Sequence, residues 1–151
     1  MKLKVVFESE QIRDAYMQGE KKFAWEYGNS GIDLRSAEET FELQPGETRL
    51  IDSGIRLQIV GDNDLYGWDI RSRSGLASKG ILCHYGTIDY TYTGVGKVCL
   101  TNLSKSPFKI EFGDRIAQII IFPLLKPEIK IVDSLDETDR GDKGFGASGM
   151  K

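Results

Sequence analysis

The stretch Gly86-Thr87-Ile88-Asp89-Tyr90-Thr91-Tyr92-Thr93-Gly94 sets one carboxylate among β-branched residues and tyrosines, between two glycines. Gly, Asp and Thr at a reversal between strand-forming runs predict a β-hairpin tip. An acid on so stiff a support, with an aromatic ring three residues on, could act on a ligand. It could equally hydrogen-bond its own turn, as Asp often does. A second stretch, Arg71-Ser72-Arg73-Ser74-Gly75-Leu76-Ala77-Ser78-Lys79-Gly80, gathers two arginines, three hydroxyls and a glycine that frees a backbone N–H. That composition suits an oxyanion cradle, although the spacing of a Walker loop is missing. A third, residues 140–149, sets Arg140 and Phe145 among four glycines. It reads either as a frayed terminus or as an arm that orders over a ligand, Phe145 stacking and Arg140 meeting an anion.

Two smaller polar groups accompany these. Asp114, Arg115 and Gln118 lie where a turn enters an apolar strand, a setting in which polar side chains need partners. Asp33 and Arg35 share one face of a short strand at period 2, which fits a surface ion pair. The single histidine, His84, and the two cysteines, Cys83 and Cys99, cannot supply a His/Cys/Cys zinc site with a C-x-x-C pair. Cys83 and Cys99 flank the proposed hairpin at similar distances and read as buried, reduced thiols.

The elements that must hold these groups are short strands. Lys2 to Phe7 alternates as an edge strand, and Ile12, Ala15 and Tyr16 are spaced for one helical face over residues 9–19, with Gly19 as a stop. From Phe41 onward short apolar runs recur between turn signals: two brief strands in residues 50–59 broken at Asp52-Ser53-Gly54, then 65–70, 81–83, 95–103, 108–112 and 115–124. Even spacing without helical periodicity predicts an all-β sandwich or barrel of jelly-roll type. One further strand is expected at Ile129 to Val132, ahead of an acidic run and the glycine-rich tail. The division is a β domain over 1–132 and a flexible arm over 133–151.

Length and composition agree with one soluble domain: 151 residues, 40% hydrophobic and 28% charged. A net charge of −3 provides no broad basic surface for nucleic acid or anionic lipid, so cations for phosphate must be placed locally. No apolar run approaches the ~20 residues of a membrane helix, and Met1-Lys2-Leu3 opens directly into a strand-like run. A soluble, cytoplasmic protein is expected.

Taken together, SGIDLRS at 30–36, RSGLASKG at 73–80, GTIDYTYTG at 86–94, GDRIAQIII at 113–121 and RGDKGFGASG at 140–149 resemble the five ordered motifs of the homotrimeric deoxyuridine triphosphatases (dUTPases). The resemblance implies a jelly-roll trimer with three sites, each built from three chains. It implies hydrolysis of dUTP to dUMP and pyrophosphate, which limits uracil incorporation into DNA and supplies dUMP for dTMP synthesis. Arg73, Ser74 and Gly75, assisted by Gln118, would contact the phosphates. Asp89 would orient and deprotonate the attacking water, and Tyr92 would pack against the sugar. The hairpin around Gly86, Thr87 and Ile88, with Cys83 and Lys97, would read uracil through backbone groups. Phe145 would stack on the base, while Arg140, Gly146 and Ser148 would meet the γ-phosphate. Asp33, Asp114 and Arg115 would be structural parts of their motifs. Mg²⁺ would be held by phosphate oxygens and water, with no dedicated protein ligands.

Some positions depart from the family pattern. Ser72 replaces a usual proline, implying a less rigid cradle; Thr91 replaces a second aspartate; Ala147 replaces a serine of the arm; Lys143 replaces a glycine. A dCTP deaminase on the same scaffold is disfavoured, because it would carry a glutamate near Asp89 and lack the Arg/Phe arm. A non-catalytic relative is disfavoured by the intact Asp89, Tyr92 and Arg140, which still leave room for a regulatory protein partner.

Overall fold

The computed structural model describes residues 1–18, 23–24, 28–61, 65–142 and 144. Its strands are β1 (Lys2–Phe7), β2 (Ile32–Arg35), β3 (Phe41–Leu43), β4 (Thr48–Val60), β5 (Tyr66–Arg71), β6 (Ile81–Cys83), β7 (Gly86–Ile88), β8 (Val95–Asn102), β9 (Phe108–Ile110) and β10 (Arg115–Pro123). Two short helices, α1 (Glu10–Met17) and α2 (Ser74–Ala77), interrupt them. The strands form two four-stranded sheets, ordered β1-β4-β8-β6 and β2-β10-β5-β7, and a two-stranded β3-β9 ribbon. Every pairing is antiparallel, so the all-β expectation holds. Among the described residues no helix is long and apolar enough to cross a membrane.

Alternation along each strand sends one set of side chains inward. Ile51, Ile55, Val98 and Leu100 from one sheet meet Leu34, Trp68, Ile70 and Ile119 from the other in a single core. Strand β5 is an exception. Its four central residues, Gly67 to Ile70, are all buried, and one of them is Asp69.

Four expectations change. Residues 50–59 are not two strands but part of one 13-residue strand, whose register shifts between Asp52 and Arg56. Gly54 sits there at φ +67°, a region open to glycine at little cost. Asp52 accepts the Gly54 amide and Ser53 Oγ donates to the Gly96 carbonyl, so the bulge leaves no polar group stranded and the ladder resumes. Residues 86–94 do not form the tip of a paired hairpin, because β7 pairs with β5 while β8 pairs with β4 and β6. The stretch passes from one sheet to the other. Residues 74–77 make one turn of helix inside the cradle. Finally, 129–132 is no strand: Ile129 is 85% and Ile131 98% exposed, and among the described residues no strand runs beside them.

Helix α1 forms as its spacing predicts, with Ser9 as N-cap accepting the Ile12 amide. The expected stop at Gly19 lies outside the described residues. Tyr16 anchors the helix to both sheets: buried between Phe7 and Phe23, it donates to the Ser53 carbonyl at 2.9 Å and accepts the Arg35 amide at 2.8 Å. Burial pushes its phenol above the ordinary tyrosine pKa, against the lowering effect of the Arg35 hydrogen bond. Tyr16→Phe leaves both backbone groups without this partner and is expected to cost about 1–3 kcal/mol, read as a lower urea midpoint with an unchanged slope.

Candidate active site

The strand order β2-β10-β5 decides which polar groups meet. Gln118 of β10 lies opposite Asp33 on one side and opposite Arg71 on the other. Asp33 of β2 therefore faces the chain leaving β5. Its Oδ1 pairs with Arg73 Nε at 2.9 Å and its Oδ2 with Arg115 Nη1 at 3.2 Å. Arg73 Nη1 also donates to the Arg115 carbonyl at 3.0 Å, and Gln118 Nε2 donates to the Ser72 carbonyl at 2.9 Å. The Asp33 carboxylate thus serves motifs one, two and four together, where the sequence suggested a local pair with Arg35.

Asp33, Arg73, Arg115 and Gln118 line a cavity of about 260 Å³ with Asn29, Ser30, Gly31, Ser74 and Gly75. Two guanidiniums against one carboxylate leave a net charge of +1 on its wall. The Ser74 and Gly75 amides at the start of α2 have no acceptor inside the helix, whereas those of Leu76 and Ala77 donate to the Arg73 carbonyl. The set is rich in donors and suits a phosphorylated ligand. Its one carboxylate is already shared between two arginines, so a divalent cation would come with the phosphates, held by their oxygens and by water. Among the described residues no cluster of three or more His, Cys, Asp or Glu side chains is arranged to bind a metal ion.

Ser72 is the residue that replaces proline, and its hydroxyl accepts the Cys83 amide at 3.0 Å and donates to the Cys83 carbonyl at 3.2 Å. That clasp fastens the start of the cradle to β6. It also engages both backbone groups of Cys83, the residue expected to read a base through them. The Cys83 thiol is buried, and burial together with the nearby Cys99 pushes its pKa up to about 11. Both cysteines are free. His84 is hydrogen-bonded to Thr101 across the sheet.

Asp89 sits beyond β7 in an exposed turn closed by the Tyr92 amide donating to the Asp89 carbonyl at 2.9 Å. Among the described residues no hydrogen bond or ion pair engages its carboxylate. Tyr92 donates to the Val95 carbonyl, and its ring lies so close to Gly94 that a Cβ there would fall 2.4 Å from the phenol oxygen. Only glycine admits that ring position.

The acid does not line the cavity, and the register shows why. Ile88 is level with Trp68 and Gly86 with Ile70, so β7 runs away from the cradle and Asp89 follows Ile88, the residue paired furthest from it. Arg71, where β5 ends, is three positions beyond Trp68, about 10 Å at a strand's rise of ~3.3 Å per residue. The cradle begins beyond it. A general base must stand within hydrogen-bond reach of the proton it takes. Asp89 and the cradle of one chain stand apart along β5.

One network escaped the sequence reading. Asp69 is 1% exposed and accepts Tyr85 Oη at 2.6 Å, Arg71 Nη2 at 2.8 Å and Thr87 Oγ1 at 2.8 Å. Burial raises its pKa, but these three donors outweigh burial and hold it below its ordinary value. The available signal was a lone carboxylate inside the apolar run Tyr66 to Ile70, which has to find donors. Of the other expected residues, Lys97 is exposed on β8, and the Asp114 carboxylate accepts the Glu111 amide in a tight turn. Arg140 lies in an exposed segment and donates to the Gly144 carbonyl at 3.5 Å. Phe145, Gly146 and Ser148 lie outside the described residues.

Known proteins share this all-β fold. The dUTPase family model matches residues 26–149, and this chain belongs to that family. It is 47% identical over 128 residues to the deoxyuridine 5'-triphosphate nucleotidohydrolase of Histophilus somni (strain 2336), spanning 82% of this chain and 83% of that one. The same protein of Haemophilus influenzae (strain PittEE) is 44% identical over the same shares. Among solved structures, the Staphylococcus bacteriophage 80alpha dUTPase with dUPNHPP is similar at a TM-score of 0.81 and 28% identity, covering 98% of each chain. That coverage takes in the N-terminal strand and helix, which the family model does not. A dUTPase mutant from phage phi11 of S. aureus, described with a structural Mg(II) ion, is similar at a TM-score of 0.73 and 25% identity over 89% of this chain and 98% of that one.

Ser72→Ala removes the clasp on Cys83 and leaves its amide unpartnered. A loss of about 1–3 kcal/mol is expected, measured as a lower denaturation midpoint.

Proposed function

We propose that this chain hydrolyses dUTP to dUMP and pyrophosphate, with the reacting groups drawn from neighbouring copies in a homotrimer. The observation that carries the reading is the uncommitted Asp89 carboxylate, held on a short turn at the far end of β5 from the phosphate cradle. In this mechanism Asp89 of one chain takes a proton from water as the water oxygen bonds to the α-phosphorus. The bond from that phosphorus to the oxygen bridging to the β-phosphate breaks, and pyrophosphate leaves with the electron pair. Arg73, the Ser74 and Gly75 amides and Gln118 of another chain hold the phosphate oxygens. Mg²⁺, when bound with the substrate, offsets part of the triphosphate's charge.

Tyr92 packs against the sugar, and the β7 backbone from Gly86 to Ile88 reads the base. The segment beyond residue 132 acts as an arm, bringing Arg140 and Phe145 over the bound nucleotide, with Gly146 and Ser148 at the γ-phosphate. Leu125, Ile129, Ile131 and Leu135 are each at least 85% exposed in the single chain, which supports their burial against another copy. Two free thiols fit a reducing, cytoplasmic compartment.

The test is pyrophosphate release from a panel of deoxynucleoside triphosphates with Mg²⁺, where dUTP should be the preferred substrate. Asp89→Asn should keep binding of dUpNHpp and lose roughly 10²–10⁴-fold in turnover, the usual worth of a general base. Near-normal turnover would remove Asp89 from that role. Deleting residues 140–151 should spare the trimer, read by light scattering, and cripple hydrolysis; a fully active deletion would contradict the arm.

A further inference from the structure

We infer that Asp69 is a positioning residue for the turn that carries Asp89, acting through Tyr85 and Thr87 on either side of Gly86. This rests on the role given to Asp89 above. Strand β7 has only three residues and a partner on one side, β5. A ladder that short, at a sheet edge, is a weak support for a group that must be held to a fraction of an ångström. The missing rigidity comes from beneath. Asp69 is almost fully buried on β5 directly opposite Thr87. Its Oδ1 accepts the Thr87 hydroxyl, and its Oδ2 accepts the Tyr85 phenol and Arg71 Nη2.

Both oxygens are thereby used, and the bonds go to residues on both sides of the strand's first position. Hydrogen bonds to an ionised acceptor are about twice as strong as neutral ones. The Arg71 guanidinium also lies 5.4 Å from the centre of the Tyr85 ring, which closes the network on the solvent side. Tyr85 is 64% exposed, so burying its ring is not what keeps it in place; the bond to Asp69 is. The carboxylate thus fixes where β7 begins and where its second residue lies, and Asp89 follows two residues later.

Asp69→Asn keeps the volume but turns one oxygen into a donor that faces donors. Tyr85→Phe removes one hydroxyl at an exposed site and should fold whatever happens to the first variant. Turnover of dUTP should fall roughly 10- to 100-fold in Asp69→Asn, the scale at which a small misplacement near the chemistry is felt. It should fall less in Tyr85→Phe, while KM changes less than kcat in both. The double variant should be no slower than Asp69→Asn alone, since both changes act through one carboxylate. Amide hydrogen exchange should quicken at residues 86–92, Tyr92 above all, and stay unchanged in β4 and β8. A merely structural role would lower the melting temperature and leave kcat of the folded protein and the local exchange unchanged, and that result would overturn the inference. Were the parent inert towards dUTP, the Asp89 assignment would fall, and exchange at 86–92 would still decide on the Asp69 network.

Discussion

The site depends on one carboxylate shared by two cations. Arg73 and Arg115 approach closely enough for a guanidinium of one to bond the carbonyl of the other, and their like charges would part them without Asp33 between. Because Asp33 balances only one of the two, the pair stays together and the cavity stays positive. The three residues come from different elements, and only the order β2-β10-β5 brings them together. Binding an anion and ordering these strands are therefore the same electrostatic problem. A ligand phosphate would complete the neutralisation that Asp33 begins.

The second constraint is distance. Strand β5 carries the cradle at one end and, through β7, the acid level with its other end. The strand is stiff and buried on both faces, so the two groups cannot be drawn together by a small movement. The apolar residues left bare along the tail fit the same proposal, in which copies of this chain would cover them.

Much of this was legible in the sequence, because the relevant residues announce themselves by type and order. Arginines and serines around a glycine, and an acid between strand-forming runs, need no structure to be noticed. What local pattern could not show is which strand pairs with which. Residues 86–94 have the composition of a hairpin, but Val95 enters a strand that completes the other sheet. Asp52-Ser53-Gly54 looks like a break, yet a glycine at positive φ and two well-placed side chains let the ladder continue. The pattern at 129–132 suits a strand, but among the described residues none pairs with it. Asp69 signals only that donors must exist, since its donors come from residues 71, 85 and 87 and their meeting depends on the β5–β7 register.

The separation along β5 has a genetic consequence. In the shared site proposed above, a subunit crippled in its cradle would still offer a sound acid to its neighbour, and a subunit crippled at Asp89 would still offer a sound cradle. Co-expressed, two such dead alleles would assemble some intact catalytic centres between them. By the same logic, a copy defective in one group alone would spoil one centre in a mixed assembly, and a copy defective in both would spoil two.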